Sequence, residues 1–134
     1  MKKRTKIKPC TDKSRFVLQE HHARNLHYDF RLEKFGTLKS WAVPKGLPTK
    51  IGDKRLAIEM PNHKLSYISY EGTIPKGQYG AGTVKIADYG CYEPKLWNNT
   101  RIEFVLYGRY NKGKYIMIPF ASDGQWLIIK AKDD

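Results

Sequence analysis

From Leu26 onward the chain reads Leu, His, Tyr, Asp, Phe, Arg, Leu, Glu, with apolar and polar residues taking strict turns. Successive side chains of an extended segment point to opposite faces. The spacing therefore predicts a strand with Leu26, Tyr28, Phe30 and Leu32 on an apolar face and His27, Asp29, Arg31 and Glu33 in a row on the other. Similar alternation, or β-branched and aromatic enrichment, predicts further strands over 15–19, 37–43, 55–60, 83–87, 101–106, 115–118 and 126–130. Glycine or proline punctuates nearly every gap, as in the Pro44-Lys45-Gly46 turn, and little room is left for helix. About eight short strands so connected predict an all-β, mainly antiparallel fold, either a barrel or a sandwich. The glycine-rich stretch EGTIPKGQYGAGTV, residues 71–84, reads as a tight corner of that fold.

At 134 residues the chain has material for one core, which predicts a single domain over 15–134. Residues 1–14 crowd Lys2, Lys3, Arg4, Lys6 and Lys8 together and read as a flexible basic arm. No apolar run approaches bilayer length, and the basic amino end is not followed by the apolar segment of a secretion signal, so a soluble, cytoplasmic protein is expected. Cys10 and Cys91 lie far apart and form no Cys-x-x-Cys pair. Neither a disulfide framework nor a cysteine zinc site is expected, which suits a reducing compartment. The 25 Lys and Arg against 13 Asp and Glu, a net of +12, point to a polyanionic partner, because each phosphate neutralised releases counterions. Charge does not separate a non-catalytic module that binds nucleic-acid ends from an enzyme that works on them.

The polar row carries more chemistry. His27 and Asp29 share a strand face, and His21 and His22 stand just upstream, of which one faces the same site. Two imidazoles and a carboxylate are a ligand set for manganese, iron or zinc that leaves positions open for water or a substrate oxygen. The same types also suit a non-haem iron oxygenase built on His27, Asp29 and His63. Against that stands the company of cations, Arg31, Lys45 and Arg55, which suits a phosphate whose oxygens gain charge during transfer. The glycine-rich stretch matches neither a dinucleotide fingerprint nor a Walker loop, so no nucleotide cofactor is expected. Trp41, Tyr67, Tyr70 and Tyr79 suit either a core or the stacking of unpaired bases. No arrangement of residues supports a covalent nucleophile.

Several long motifs in one order, FVLQEHHARNLHYDFRLEKFGTLKSWAVPKGLP, DKRLAIEM, PNHKLSY and EGTIPKGQYGAGTV, resemble the 3′-phosphoesterase domain of bacterial DNA ligase D and its free-standing relatives. The resemblance runs from Arg15 to Pro94 and continues more loosely to the end. It implies a compact eight-stranded β-barrel and a manganese-dependent enzyme, with cobalt or zinc as other possible ions. Such an enzyme removes a terminal ribonucleoside and hydrolyses the remaining 3′-phosphate to a hydroxyl. The resemblance implies His21, His27 and Asp29 as metal ligands, which favours His21 over His22. Arg31, Lys45, Arg55 and His63 would surround the scissile phosphate, with Gln19 and Tyr67 in support. The implied partners are DNA or RNA 3′ ends, as in a primer-template, with joining and synthesis left to a separate DNA ligase and polymerase. MKKRTKIKPCTDKS shows no match to the upstream acidic and basic residues of the ligase-linked domains, so the resemblance speaks more to the phosphatase step than to ribonucleoside removal.

Overall fold

The computed structural model describes residues 13–133, together with Cys10 and the backbone of Lys3 and Arg4. Eight antiparallel strands close on themselves: β2 (Ser14–His22), β3 (Leu26–Lys34), β4 (Thr37–Val43), β5 (Lys54–His63), β7 (Gly82–Trp97), β8 (Ile102–Gly108), β9 (Lys112–Pro119) and β10 (Gln125–Lys130). Their order round the barrel is β7-β2-β3-β4-β5-β10-β9-β8, and the β7–β8 pairing completes the ring. Each strand contains one of the eight stretches marked out by alternation, save that Arg101 of the 101–106 stretch precedes β8. Outside the ring lie β1 (Lys3–Arg4), a 3-10 helix (Leu65–Ser69) and β6 (Tyr70–Ile74).

The inward row of alternating residues makes the core. Phe16 and Leu18 of β2, Phe30 and Leu32 of β3, and Trp41 and Val43 of β4 meet Tyr92, Phe104, Leu106, Tyr115, Met117 and Ile128 from the far wall. At the strand end Leu26 breaks the expected apolar face and is half exposed. On the outer wall a smaller apolar cluster forms where Ile68 of the 3-10 helix covers Val17 and Leu38. That helix and β6 therefore clasp the outside of β2 and β4 and raise a rim beside the outward row of β3.

β7 is the longest strand, at 16 residues, because both halves have work to do. Its start carries β6, through Gly72↔Val84 and Thr73↔Thr83, and its end carries β8, from Gly90↔Gly108 to Trp97↔Ile102. A side chain at Gly90 would bring its Cβ to 2.3 Å from the Tyr107 carbonyl, so glycine lets the two strands approach where the barrel closes. The 71–84 stretch is thus not one tight corner of the barrel. It contributes strand β6, a loop, and the start of β7.

Of the expected basic arm over residues 1–14, Lys2, Lys6 and Lys8 lie outside the described residues. Lys3 and Arg4 pair with Glu71 and Tyr70 of β6, and Ser14 already opens β2. The expectation of unbonded cysteines is corrected: Cys10 and Cys91 form a disulfide, with Cα atoms 5.8 Å apart despite a sequence separation of 81. The physical reason is register. Arg15 of β2 stands opposite Cys91 of β7, so the residues entering β2 are carried past that cysteine.

Candidate metal centre and phosphate pocket

The outward row of β3 opens into a cavity of about 350 Å³, whose wall includes His21, His27, Asp29, Arg31, His63 and Tyr67. Register brings the ligand candidates together, since His21 stands opposite His27, and Gln19 opposite Asp29, on the β2–β3 ladder. A bulge on β7 between the partners of Leu18 and Gln19 leaves Ala87 unpaired, just beneath this site. Parity separates the two histidines. His21 is buried, whereas His22 is exposed and meets Glu20 at 2.6 Å.

Three donor atoms converge. His21 Nδ1 lies 3.1 Å from His27 Nε2 and 3.2 Å from Asp29 Oδ2, and His27 Nε2 lies 3.3 Å from Asp29 Oδ1. The opposite ring nitrogens are already engaged: His21 Nε2 donates to the Gly80 carbonyl at 2.8 Å, and His27 Nδ1 to the Asn25 carbonyl at 3.2 Å. A carbonyl only accepts, so these bonds hold the protons away from the cluster and turn the lone pairs of His21 Nδ1 and His27 Nε2 inward. Two lone pairs and a carboxylate at such distances need a positive charge among them. The hydrogen bond to Asp29 raises the His27 pKa against the effect of burial. Burial pushes the Asp29 carboxyl up, but His27 and the Arg31 charge outweigh it and hold the carboxyl below its usual range.

Arg31 is 4% exposed and its charge is held in place on every side. Its Nε donates to Gln19 Oε1 at 2.7 Å and its Nη1 to Ser40 Oγ at 2.7 Å, while Nη2 stands 3.5 Å from Asp29 Oδ2. Gln19 in turn donates from Nε2 to the carbonyls of Tyr67 and Tyr70, 3.2 Å each, fastening the outer clasp to the barrel. His63 Nδ1 lies 3.1 Å from both Arg31 Nη1 and the Pro61 carbonyl. Burial, then the Arg31 charge, lower the His63 pKa. A neutral ring carries one proton, so Nδ1 either accepts from Arg31, with the proton on Nε2, or donates to the Pro61 carbonyl, with the lone pair on Nε2. The Tyr67 ring packs 4.7 Å from His63 and 4.9 Å from the Arg31 guanidinium, and burial raises its phenol pKa.

Lys45 and Arg55 do not line this cavity. They meet each other instead, Arg55 Nη1 donating to the Lys45 carbonyl at 2.6 Å beside the turn that follows β4. Three contributors went unnoticed in the chain's pattern, Ser40, Gly80 through its carbonyl, and Arg24 as a lining residue, while Tyr79, one of the aromatics weighed for core or stacking, lines the cavity. Only Ser40 left a signal there, as a hydroxyl on the outward face of β4, where it stands opposite Arg31. Among the described residues the only grouping of three histidine, cysteine or acidic side chains able to hold a metal ion is His21, His27 and Asp29, and it excludes His63. That removes His63 from the ligand set on which the oxygenase assignment was built.

A closed antiparallel barrel with a two-histidine, one-carboxylate centre on its outer wall, backed by a buried arginine, is the class that fold and site define. Within that class the chain belongs to the DNA Ligase D 3′-phosphoesterase domain family, whose model matches residues 19–119. It is 44% identical over 131 residues to the multifunctional non-homologous end joining protein LigD of Mycobacterium bovis, covering 94% of this chain and 17% of that protein. The Pseudomonas aeruginosa LigD is 42% identical over 134 residues, covering 94% of this chain and 16% of its own length. For the Mycolicibacterium smegmatis LigD the figures are 41% over 130 residues, 89% and 17%. The chain thus spans about one sixth of the curated relatives it matches.

Proposed function

We propose that the chain is a metal-dependent phosphoesterase that heals 3′ ends of nucleic acid, hydrolysing a 3′-phosphate to a 3′-hydroxyl and removing a 3′-terminal ribonucleoside, in the service of DNA end joining. The observation that carries this reading is the convergence of His21, His27 and Asp29 ligand atoms within 4.8 Å of one another, beside Arg31 in one cavity. The donor set fits a manganese ion, with cobalt or zinc as alternatives, held by His21 Nδ1, His27 Nε2 and the Asp29 carboxylate. Such an ion supplies, when bound, polarisation of a phosphoryl oxygen and a water acidic enough to attack phosphorus near neutral pH.

The chain's own groups do the rest. Arg31, which cannot shed its proton, offsets the charge that grows on the non-bridging oxygens. Its fixed position means that no reorganisation is needed when that charge appears. His63, in the tautomer that accepts from Arg31 on Nδ1, offers its Nε2 proton to a phosphate oxygen or to the departing 3′ oxygen. Tyr67 stays a neutral phenol and holds the His63 and Arg31 planes in place. Lys45 and Arg55, joined to each other at the turn after β4, are the further cations that offset the charge on the scissile phosphate. The relatives' names tie this family to non-homologous end joining, so a ligase and a polymerase are the partners that use the healed end.

The test is release of phosphate from a 3′-phosphate primer-template with manganese present. His27→Ala and Asp29→Ala are each expected to lower the rate by at least about a hundredfold. Undiminished release in both variants overturns the metal assignment. Salt-sensitive binding without product at any metal concentration favours the end-binding module instead.

A further inference from the structure

We propose that the end of the barrel framed by β4, β5 and β10 holds a second site, one that accepts a nucleobase. A cavity of about 490 Å³ opens there, within the size range of small-molecule sites, roughly 300–1,000 Å³. It backs onto the same ladder as the metal centre. Ser40 pairs with Met60 and Trp41 with Glu59, and strand alternation sends the first pair to the outer wall and the second toward this inner cavity. The proposal does not rest on the phosphoesterase reading.

Three features define the ligand. The chain has three tryptophans, and Trp41, Trp97 and Trp126 all line this one cavity. Trp97 and Trp126 are only partly buried and stand against the core beside Trp41, with the Trp97 ring 6.2 Å from that of Trp41. These are faces for a flat ring to stack upon.

Second, Trp41 is 1% exposed and its indole N–H has no hydrogen-bond partner, the one such buried side-chain atom among the described residues. Trp126, its neighbour in the wall, shows the contrast by donating to Glu59 Oε1 at 3.0 Å. A buried donor left unpaired costs about 1–3 kcal/mol, and since this one is closed off from the cavity as it stands, a ligand's acceptor relieves that cost only by shifting the wall to meet it, which a hydrocarbon gains nothing by doing.

Third, charge argues for a base and against a phosphate. Glu59 and Asp123 outnumber Lys39 in the wall. The Asn98 side-chain oxygen is taken by Thr100 and by the Arg101 backbone, which leaves its amide group to donate. A neutral, planar heterocycle edged with acceptors meets all three conditions, whether it arrives as a free nucleoside or as a base of a strand.

Because no tryptophan lies elsewhere, intrinsic tryptophan emission of the full chain reports on this site alone. Titration with 2′-deoxyadenosine, and separately with a deoxyadenosine hexanucleotide, is expected to give saturable quenching. Quenching by both probes identifies a site that takes free nucleosides, and quenching by the hexanucleotide alone identifies one that takes bases presented by a strand. In either case Trp97→Ala should weaken binding about fivefold or more. Trp41→Phe, which keeps a ring but removes the donor, should weaken it about three- to tenfold. Ser122→Arg, which fills the cavity from its rim, provides an independent check should Trp41→Phe fail to fold. The His27→Ala and Asp29→Ala variants should quench as the unmodified chain does, which separates this site from the metal centre. No quenching by either probe, or quenching that persists unchanged in both Trp97→Ala and Ser122→Arg, overturns the proposal.

Discussion

A guanidinium buried as deeply as that of Arg31 is tolerable only because Gln19, Ser40 and Asp29 take up its donors, and that network makes it a fixed charge instead of a searching one. Arg15 shows the same chemistry nearer the surface, gripping Glu33 with Nε at 3.1 Å and Nη2 at 3.1 Å while its backbone N–H donates to the same carboxylate at 2.9 Å. Burial pushes the Glu33 carboxyl up, but the Arg15 bonds and charge outweigh it and leave the pKa below the ordinary 4.5. A carboxyl whose folded pKa is depressed contributes stability above its unfolded pKa and loses that contribution as pH falls through the folded value. Arg15→Ala should therefore cost about 1 kcal/mol in urea melts near neutral pH. That difference should shrink as the pH drops below 4.5. An equal difference on both sides of that pH would show that the pair acts through packing and not through charge.

Among the elements, β7 binds the structure together, and Asp88 within it ties that strand to the turn between β8 and β9. The buried carboxylate accepts the backbone N–H groups of Arg109 at 2.9 Å, Tyr110 at 3.3 Å and Asn111 at 2.8 Å, and the Asn111 side chain at 2.8 Å. It thereby shapes the turn between β8 and β9, which the barrel needs to close. Removal of the carboxylate strands several donors away from water. Asp88→Ala should lower stability by at least about 2 kcal/mol, measured by chemical denaturation, with the 109–111 amides losing protection from hydrogen exchange. Retained protection there would show that the turn holds its shape without the carboxylate. The outer clasp of 3-10 helix and β6 depends on a different tie, the two bonds from Gln19, and so couples the clasp directly to the arginine network.

Across the whole molecule, the Cys10–Cys91 bond anchors the chain entering β2 to the far side of that strand, on β7. It spans a separation of 81 residues, so in the chain-entropy picture it removes much freedom from the unfolded state. Reduction, or Cys10→Ser, should lower stability by about 2–4 kcal/mol in denaturant titrations. Phosphate release should persist, because neither cysteine lines the metal cavity. Unchanged stability on reduction would mean that the bond constrains little of the unfolded chain. The net charge of +12 acts at this same scale, drawing a polyanion toward the barrel from a distance, while the cavity decides what happens to it.

Periodicity made the barrel readable. An alternation of period two is a property of neighbours along the chain, so all eight barrel strands, and the row His27, Asp29 and Arg31, could be seen before any contact was known. Residue types and the family motifs carried the chemistry of the centre. Contacts between distant segments left no such trace. The Gly80 carbonyl that sets the His21 tautomer, the Ser40 hydroxyl that braces Arg31 and the disulfide across 81 residues all depend on which strands lie side by side and in what register. The clasp was hidden for a related reason, since Tyr70–Ile74 pairs with the first residues of β7, 82–84, and the glycines from Gly72 to Gly82 read as turn and not as strand. Lys45 and Arg55 make the same point: their charge is visible in the chain, but that Arg55 Nη1 donates to the Lys45 carbonyl follows from the path of the turn after β4.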